Sequence, residues 1–302
     1  MNKAIITGAN GFIGSTLVKK LVDNNVRVLA IDLSFTPSHL PESELVTKLE
    51  TYIVSAEDLV NKIPQGEYDA FYHFAWAGVN GVVKADPIAQ IKNIEMAAIC
   101  MNACKQIRCK KFLCAGTIAE QSFLSLPNLT QTSGGMMYGV AKHCTHLILE
   151  NYSKNIGQQF VWMQLSNIYG PGNRTGNIIG YTLGELLAGR NPSFGPAEQP
   201  YDFVSVDDTI EAIYRLGECE TNHISYYIGS GCPRLLKDYL FAVGKTMNCP
   251  ERIEIGKRPD DGIKYSYEMF NVTKIKADIG EYITKSFEEG IKETVEWQKN
   301  NQ

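Results

Sequence analysis

A chain of 302 residues, 44% hydrophobic and 21% charged, can bury a large core and is typical of a globular protein. Its formal net charge of −4 gives no polycationic surface, which argues against a nucleic-acid partner. No apolar run approaches the roughly 18 residues that a membrane span needs, so no membrane partner is expected.

The eight cysteines include no C-x-x-C pair, and no signal peptide is recognisable. We therefore expect free thiols and a reducing, cytoplasmic location. His143 and His146 lie three residues apart on a predicted helix and have no nearby third ligand. They are interpreted as structural residues, and no metal site is predicted.

A glycine-rich turn follows the first predicted strand. Lys3–Thr7 is a short apolar run with β-branched residues, and a helical pattern of apolar residues begins at Leu17. Between them lie Gly8, Gly11 and Gly14. Glycines in such a turn let the backbone approach a pyrophosphate, whose charge the helix N-terminus stabilises. A second strand, 27–31, ends in Asp32, whose carboxylate would bind both ribose hydroxyls and repel a 2′-phosphate. This favours NAD over NADP.

Strand and helix patterns alternate through the middle of the chain. Strands are predicted at 51–54, 70–75, 111–114 and 160–165, and helices at 86–109 and 138–151. In the first of these helices, apolar residues are spaced for one buried face: Ile88, Ile91, Ile94, Ala98, Met101 and Cys104. Asn93, in the same helix, either faces solvent or braces a neighbouring loop. After residue 165 the alternation weakens, with helices at 181–187, 207–216 and 287–297 and a strand at 226–228.

Tyr138 and Lys142 are four residues apart, so both side chains leave the predicted helix from the same face. A free phenol is a poor acid or base at neutral pH, and a nearby ammonium favours the phenolate. The pair alone is weak evidence, because Tyr and Lys at this spacing often lie on a solvated helix. Thr117, however, follows a predicted strand at the edge where open parallel sheets bind ligands.

Seven sequence blocks occur in a fixed order. They are Gly8-x-x-Gly11-x-x-Gly14, Asp32, Phe74-Ala75-Trp76-Ala77, Thr117, Tyr138-x-x-x-Lys142, Asn167-Ile168-Tyr169-Gly170-Pro171 and Asp202-Phe203-Val204-x-Val206-Asp207-Asp208. From residue 3 to residue 297 the chain resembles the extended short-chain dehydrogenase/reductase family, in its nucleotide-sugar epimerase, dehydratase and 4-ketoreductase branch. The resemblance implies an α/β fold. A Rossmann doubly wound parallel sheet would occupy residues 1–165 with a return segment at about 203–230, and an interleaved substrate domain would occupy residues 166–202 and 231–302.

The resemblance also implies a set of site residues. Thr117, Tyr138 and Lys142 would be catalytic, with Tyr138 exchanging a proton with the sugar while nicotinamide exchanges hydride. Lys142 would bind the nicotinamide ribose and lower the Tyr138 pKa. NAD, with NADP as the alternative, would contact Gly8, Gly11, Phe12, Ile13, Gly14, Asp32, Phe74, Ala75, Ala77, Asn93, Tyr138, Lys142, Leu165 and Ser166. A nucleotide-diphosphate sugar would contact Trp76, Thr117, Asn167, Tyr201 and Arg258. The helices 86–109 and 138–151 would pair two copies into a homodimer.

Departures from the family pattern decide which reaction is expected. Ile118 and Ala119 stand where the 4,6-dehydratases carry Asp-Glu, so dehydration is not expected. Tyr201 stands where many 4-epimerases carry Arg. An aromatic residue at this position resembles the 4-ketoreductases more than the epimerases. The first hypothesis is therefore reduction of a 4-keto, often deoxy, nucleotide sugar. The alternatives are an NAD-dependent 4-epimerase and a non-catalytic dinucleotide sensor. The roles of Gln164 and Glu120 are left open.

Overall fold

The structure is a computed structural model that describes residues 1–79, 81–129, 134–260 and 262–301. The strands are β1 Lys3–Thr7, β2 Arg27–Asp32, β3 Val46–Glu50, β4 Ala70–His73, β5 Lys111–Thr117, β6 Gln159–Leu165, β7 Asn167–Tyr169, β8 Pro200–Tyr201, β9 Phe203–Ser205, β10 Ser225–Ile228 and β11 Arg234–Leu235. The helices are α1 Phe12–Asp23, α2 Ala56–Lys62, α3 Pro87–Gln106, α4 Gly134–Ile156, α5 Ile178–Leu187, α6 Val206–Glu218, α7 Leu236–Thr246, α8 Thr273–Ile279 and α9 Phe287–Asn300. Short 3-10 helices cover Val82–Ala85, Ile118–Asn128, Pro250–Arg252 and Tyr267–Phe270.

Within the described residues, seven strands form one sheet in the order β10-β6-β5-β4-β1-β2-β3. Every neighbouring pair in this sheet is parallel. The direction of winding reverses between β1 and β4, so the loops that leave their carboxyl ends part and open a crevice. The predicted Rossmann α/β class is confirmed.

Alternate residues of the buried strands pack on opposite faces of the sheet. Ile6 lies in an apolar cluster with residues of α1 and α6, and Ile5 lies in a second cluster with residues of α2, α3 and α4. Because both faces are covered, the central strands are continuous apolar runs. Such runs are the strand signal that the sequence carries most clearly.

A third apolar cluster joins elements that follow the sheet's sixth strand. Leu183 of α5, Leu240 of α7 and Ile291 of α9 pack with Phe203 of β9. Helices α5, α7 and α9 fall within residues 166–202 and 231–302, where the substrate domain is predicted, whereas Phe203 begins the return segment predicted for the Rossmann domain. The boundaries of the two domains stay a prediction.

The strand predicted at 51–54 is wrong, because β3 precedes it. β3 pairs with β2 at the edge of the sheet, and much of its length is exposed. Tyr52 and Val54, whose residue types suggested a strand, are 73% and 66% exposed and lie beyond it. A half-exposed edge strand carries polar residues, so its apolar signal is weak.

The buried face predicted for α3 is confirmed at Met101 and Cys104, which are fully buried, but it is wrong in the first turns of the helix. Ile88 and Ile91 are 59% and 58% exposed, whereas Gln90 and Asn93 are 1% and 2% exposed. The inward polar residues are paired with loop backbone, and that pairing offsets the cost of burying them. No helix of the described chain is long and apolar enough to cross a membrane.

Candidate active site

The glycine-rich turn between β1 and α1 is too tight for side chains. Gly8 has a φ of +69°, and a Cβ there would lie 2.7 Å from the Ala75 backbone nitrogen. A Cβ on Gly14 would lie 2.1 Å from the Gly8 carbonyl oxygen. Gly11 caps α1 without a side-chain hydrogen bond, which leaves the first amides of the helix available to an anion. The turn therefore has the steric and electrostatic features of a pyrophosphate site.

The Asp32 carboxylate, at the end of β2, fixes the same turn through hydrogen bonds to backbone N–H groups. One carboxylate oxygen accepts the Asn10 backbone N–H at 2.8 Å, and the other accepts the Leu33 N–H at 2.8 Å. Each oxygen keeps a further lone pair, and Asp32 lines the cleft. The side chain can therefore anchor the turn and accept hydrogen bonds from a ribose at the same time.

Residues 74–77 form a wall of the cleft beyond β4, and two buried side chains of α3 hold it. Asn93 accepts the Ala77 N–H at 2.8 Å through Oδ1 and donates from Nδ2 to the Ala77 carbonyl at 2.8 Å. Gln90 accepts the Trp76 indole N–H at 2.9 Å. Of the two roles left open for Asn93, the structure shows the bracing one. Its contact with a cofactor stays a prediction.

Thr117, Tyr138 and Lys142 come together at the end of β5. Burial raises the Tyr138 pKa above its ordinary value, and a side-chain hydrogen bond with Thr117 opposes that rise. Lys142 is 3% exposed, and its ammonium donates to the Ala115 carbonyl at 2.7 Å. Burial lowers the Lys142 pKa to about 8. The three side chains predicted as catalytic therefore share one partly desolvated corner.

Lys142 is not among the groups that shift the Tyr138 pKa in this structure, and its expected effect on Tyr138 stays a prediction. The Lys142 ammonium lies 3.6 Å from the Trp76 ring centroid and 6.0 Å from the Tyr138 ring centroid. The Trp76 indole and the Ala115 carbonyl therefore stabilise the Lys142 charge, and burial is the largest influence on the Tyr138 pKa. At neutral pH the Tyr138 phenol keeps its proton, which is the state that a general acid requires.

The predicted substrate residues are divided between two places. Asn167 and Tyr201 line the cleft. Arg258 does not line it; the exposed guanidinium donates to the Tyr181 hydroxyl at 2.7 Å and to the Ser193 hydroxyl at 3.1 Å. The structure does not bring Arg258 to the cleft, and its contact with a diphosphate stays a prediction.

The cleft has a volume of about 1320 Å³. This is more than the roughly 300–1000 Å³ of a site for one small ligand, so a dinucleotide and a second molecule have room together. The predicted site residues that line it are Gly8, Gly11, Phe12, Ile13, Gly14, Asp32, Phe74, Ala75, Trp76, Ala77, Asn93, Thr117, Tyr138, Lys142, Leu165, Ser166, Asn167 and Tyr201.

Two charged residues near Tyr138 were not assigned from the sequence: Lys84 was missed, and the role of Glu120 was left open. Lys84 lines the cleft with its ammonium 5.0 Å from the Tyr138 ring centroid, and burial lowers its pKa. Nothing in its spacing distinguishes it. Glu120 is 1% exposed and accepts the Thr117 backbone N–H at 2.6 Å. Here a signal was present, because Thr117-x-x-Glu120 is the pattern of a helix capping box.

The sequence also matches a known family. The model of the NAD-dependent epimerase/dehydratase family covers residues 4–229, which is most of the chain. The chain belongs to this family. It is therefore an NAD-dependent enzyme of the epimerase, dehydratase and reductase group.

Individual members of the family are distant relatives. The chain is 24% identical to UDP-glucose 4-epimerase of Mycolicibacterium smegmatis, over 99% of both chains. It is 23% identical to dTDP-4-dehydro-6-deoxyglucose reductase of Escherichia coli, over 96% of this chain and 95% of the other. Among solved structures, it resembles UDP-N-acetylglucosamine 4-epimerase from Methanobrevibacter ruminantium M1 with a TM-score of 0.82 and 20% identity, over 100% and 99% of the chains. Similarity at this level shows the shared fold.

The residues of the cleft fit the NAD that the family uses. The glycine-rich turn leaves no room for a Cβ, and the first amides of α1 are uncapped by any side chain. In the hydrogen bonds described, the Asp32 carboxylate accepts only the backbone N–H groups of Asn10 and Leu33, so it can also accept from ribose hydroxyls and opposes a 2′-phosphate. In the described residues, no group of three or more His, Cys, Asp or Glu is placed to hold a metal ion.

Proposed function

We propose that this enzyme reduces a 4-keto nucleotide-diphosphate sugar, with Tyr138 as the proton donor. Bound NADH would supply the hydride. The observation that carries the proposal is the meeting of Thr117, Tyr138 and Lys142 in one corner of a cleft large enough for cofactor and sugar. Reduction of a ketone builds alkoxide charge, and stabilising that charge requires donors already in position.

The three side chains have distinct parts in this proposal. Tyr138 keeps its proton at neutral pH and delivers it to the developing alkoxide. The hydroxyl of Thr117 donates to the same oxygen and orients it. Lys142 is cationic below about pH 8 and would bind the nicotinamide ribose, which places the ring over the sugar carbon.

The two positions that follow Thr117 carry no acid or base for dehydration. Ile118 and Ala119 follow Thr117, and neither side chain can hold or release a proton. Glu120 is the nearest carboxylate in sequence, but it is buried and accepts N–H groups of Thr117 and Trp162. It is therefore not available to remove a proton from a sugar.

The outer part of the cleft suits a nucleotide diphosphate. Asn167 and Tyr201 would contact it, and further polar side chains line the same cleft: Asn173, Thr175 and Asn177. Tyr201 packs against Phe203 with ring centroids 5.3 Å apart. An aromatic residue here, in place of the arginine of many 4-epimerases, favours the reductase over the epimerase.

The second candidate is an NAD-dependent 4-epimerase. It is supported by the UDP-glucose 4-epimerase relative, which aligns over 99% of both chains. An epimerase would use the same three side chains in both directions and would keep its cofactor between the two half-reactions. The third candidate, a non-catalytic dinucleotide sensor, is not favoured, because the complete set of Thr117, Tyr138 and Lys142 serves no purpose in a sensor.

We also propose that the enzyme is a homodimer. The exposed faces of two long helices carry large apolar side chains: Ile88 and Ile91 on α3, and Leu147 and Ile148 on α4. Covering them with a second copy would remove this apolar surface from water.

Net consumption of NADH distinguishes the two enzymes. Wild-type protein is incubated with NADH and UDP- or dTDP-4-keto-6-deoxyglucose, and in parallel with UDP-glucose and UDP-galactose under a coupled epimerase assay. Reductase activity predicts stoichiometric loss of NADH absorbance with the keto sugars. Interconversion of the UDP-sugars without net NADH change would replace the reductase proposal by the epimerase. Absence of both reactions with every nucleotide tried would reject the substrate class.

A further inference from the structure

A buried carboxylate lies directly behind Thr117. The Glu120 side chain accepts the Thr117 backbone N–H at 2.6 Å through Oε1, and both of its oxygens lie 3.1 Å from the Trp162 indole nitrogen. The Thr117 hydroxyl oxygen, in turn, accepts the backbone N–H of a third residue, Ala119, at 3.2 Å. Thr117 is therefore held through its backbone N–H on one side and its hydroxyl oxygen on the other, and its hydroxyl also forms a side-chain hydrogen bond with the Tyr138 phenol.

The space around this carboxylate is filled. A Cβ on Gly116 would lie 2.4 Å from the Trp162 indole and 2.5 Å from Glu120 Oε1. Trp162 is fully buried, and the His146 ring stacks on it with centroids 4.8 Å apart and planes 6° from parallel. The carboxylate thus has one position, since side-chain packing and three N–H···O contacts all restrict it.

No lysine or arginine among the described residues forms an ion pair with Glu120. The His146 imidazole lies beside it, with Nδ1 3.7 Å from Glu120 Oε2. The titratable groups that face it come from β5 and α4: Cys114, Tyr138, Lys142 and His146, with Glu150 beyond the histidine. The Glu120 charge raises the pKa of Tyr138 and, against the effect of burial, that of Lys142. Both effects favour the protonated forms.

We propose that Glu120 is a positioning residue. It fixes the Thr117 backbone so that the hydroxyl reaches the substrate oxygen beside Tyr138, and its negative charge, kept out of the cleft, holds Tyr138 and Lys142 protonated. This inference rests on the proposed reaction at the sugar oxygen. It differs from a purely structural role because the charge, and not only the shape, of the side chain matters.

Glu120→Gln separates charge from shape. The amide still offers one oxygen to the Thr117 N–H, but it removes the negative charge. We expect turnover to fall by about 10- to 100-fold, as for a modest misplacement of a reacting group, with KM within threefold. Because the charge favours protonated Tyr138 and Lys142, its loss should also move the high-pH limb of the activity profile to lower pH.

The matched control is Glu150→Gln. Glu150 Oε2 lies 3.7 Å from the other nitrogen of His146 but makes no described contact with Thr117. This control should leave turnover and the pH limb within twofold of wild type. An equal loss in both variants would contradict the proposal, because it would assign the effect to His146.

Two further measurements keep the test decisive. Trp162→Phe removes the indole N–H that would face the new amide NH2, so Glu120→Gln combined with Trp162→Phe is measured if the single variant folds poorly. The double variant should keep the pH shift, whereas wild-type turnover in it would overturn the proposal. NADH affinity is measured against pH in parallel, and its decline at high pH should begin at lower pH in Glu120→Gln. If wild type turns over no nucleotide sugar, the proposed function fails, and an unshifted NADH titration would separately reject the role of the Glu120 charge.

Discussion

Replacing Asn93 by alanine tests whether α3 holds the wall of the cofactor cleft. Asn93 is 2% exposed and makes two hydrogen bonds of 2.8 Å to the Ala77 backbone. Net hydrogen bonds contribute about 0.5–1.5 kcal/mol each, so their loss costs about 1–3 kcal/mol. Alanine is the better helix former by roughly 0.6 kcal/mol, which offsets part of this cost. The free energy of unfolding should therefore fall by about 0.5–2.5 kcal/mol.

Asn102→Ala on the same helix is the matched control. The Asn102 amide oxygen accepts only from Gln106, at 3.3 Å on the exposed side, in the hydrogen bonds described. Here the gain in helix propensity should dominate, and stability should be unchanged or slightly higher. Urea unfolding gives both free energies.

The functional consequence is measured by NADH fluorescence titration. With Ala77 no longer held, the wall at residues 74–77 gains freedom that cofactor binding must remove, so NADH affinity should fall severalfold in Asn93→Ala. In Asn102→Ala it should not change. An Asn93→Ala variant with wild-type stability and wild-type NADH affinity would refute the bracing role.

Three other predictions follow from the same structure. Asp32→Ala should weaken NADH binding and relax discrimination against NADPH, and a wild type that binds NADPH more tightly in a fluorescence titration would contradict the assignment. Lys142 loses its charge as pH rises through about 8, so wild-type NADH affinity should decline above that pH, whereas Lys142→Met should bind NADH weakly with no such decline. Replacing Ile88 and Ile91 together by lysine should shift the mass seen by light scattering from dimer to monomer. A wild type that is monomeric at micromolar concentration would count against the proposed dimer.

The parallel core of the fold was predictable because its strands are buried on both faces. β1 and β6 are continuous apolar runs, and the glycine turn follows β1 directly. The edge strand β3 was predicted in the wrong place because only part of it is buried. Tyr52 and Val54 are residue types common in strands, but they are exposed and lie beyond β3. Sequence patterns report burial, and they fail where an element is half exposed.

The site was predictable where backbone geometry dictates residue type. At Gly8 and Gly14 no residue with a Cβ fits, so glycine is required there. Asp32 could be placed because it is the last residue of the predicted strand β2. The buried face of the first turns of α3 was not predictable, since polar Gln90 and Asn93 point inward and are satisfied by the Trp76 indole and the Ala77 backbone of a loop from elsewhere in the chain. Lys84 meets Tyr138 through tertiary packing, which no local spacing encodes.

The most direct test of the central claim is turnover of Tyr138→Phe. The change keeps the ring and removes the proton donor. Tyr52→Phe, which removes an exposed phenol elsewhere in the same cleft, is the control. Under the conditions in which wild type consumes NADH or interconverts sugars, Tyr138→Phe should lose on the order of 10²- to 10⁴-fold in turnover with NADH affinity nearly unchanged. Turnover of Tyr138→Phe within twofold of wild type would contradict the claim that Tyr138 moves the proton.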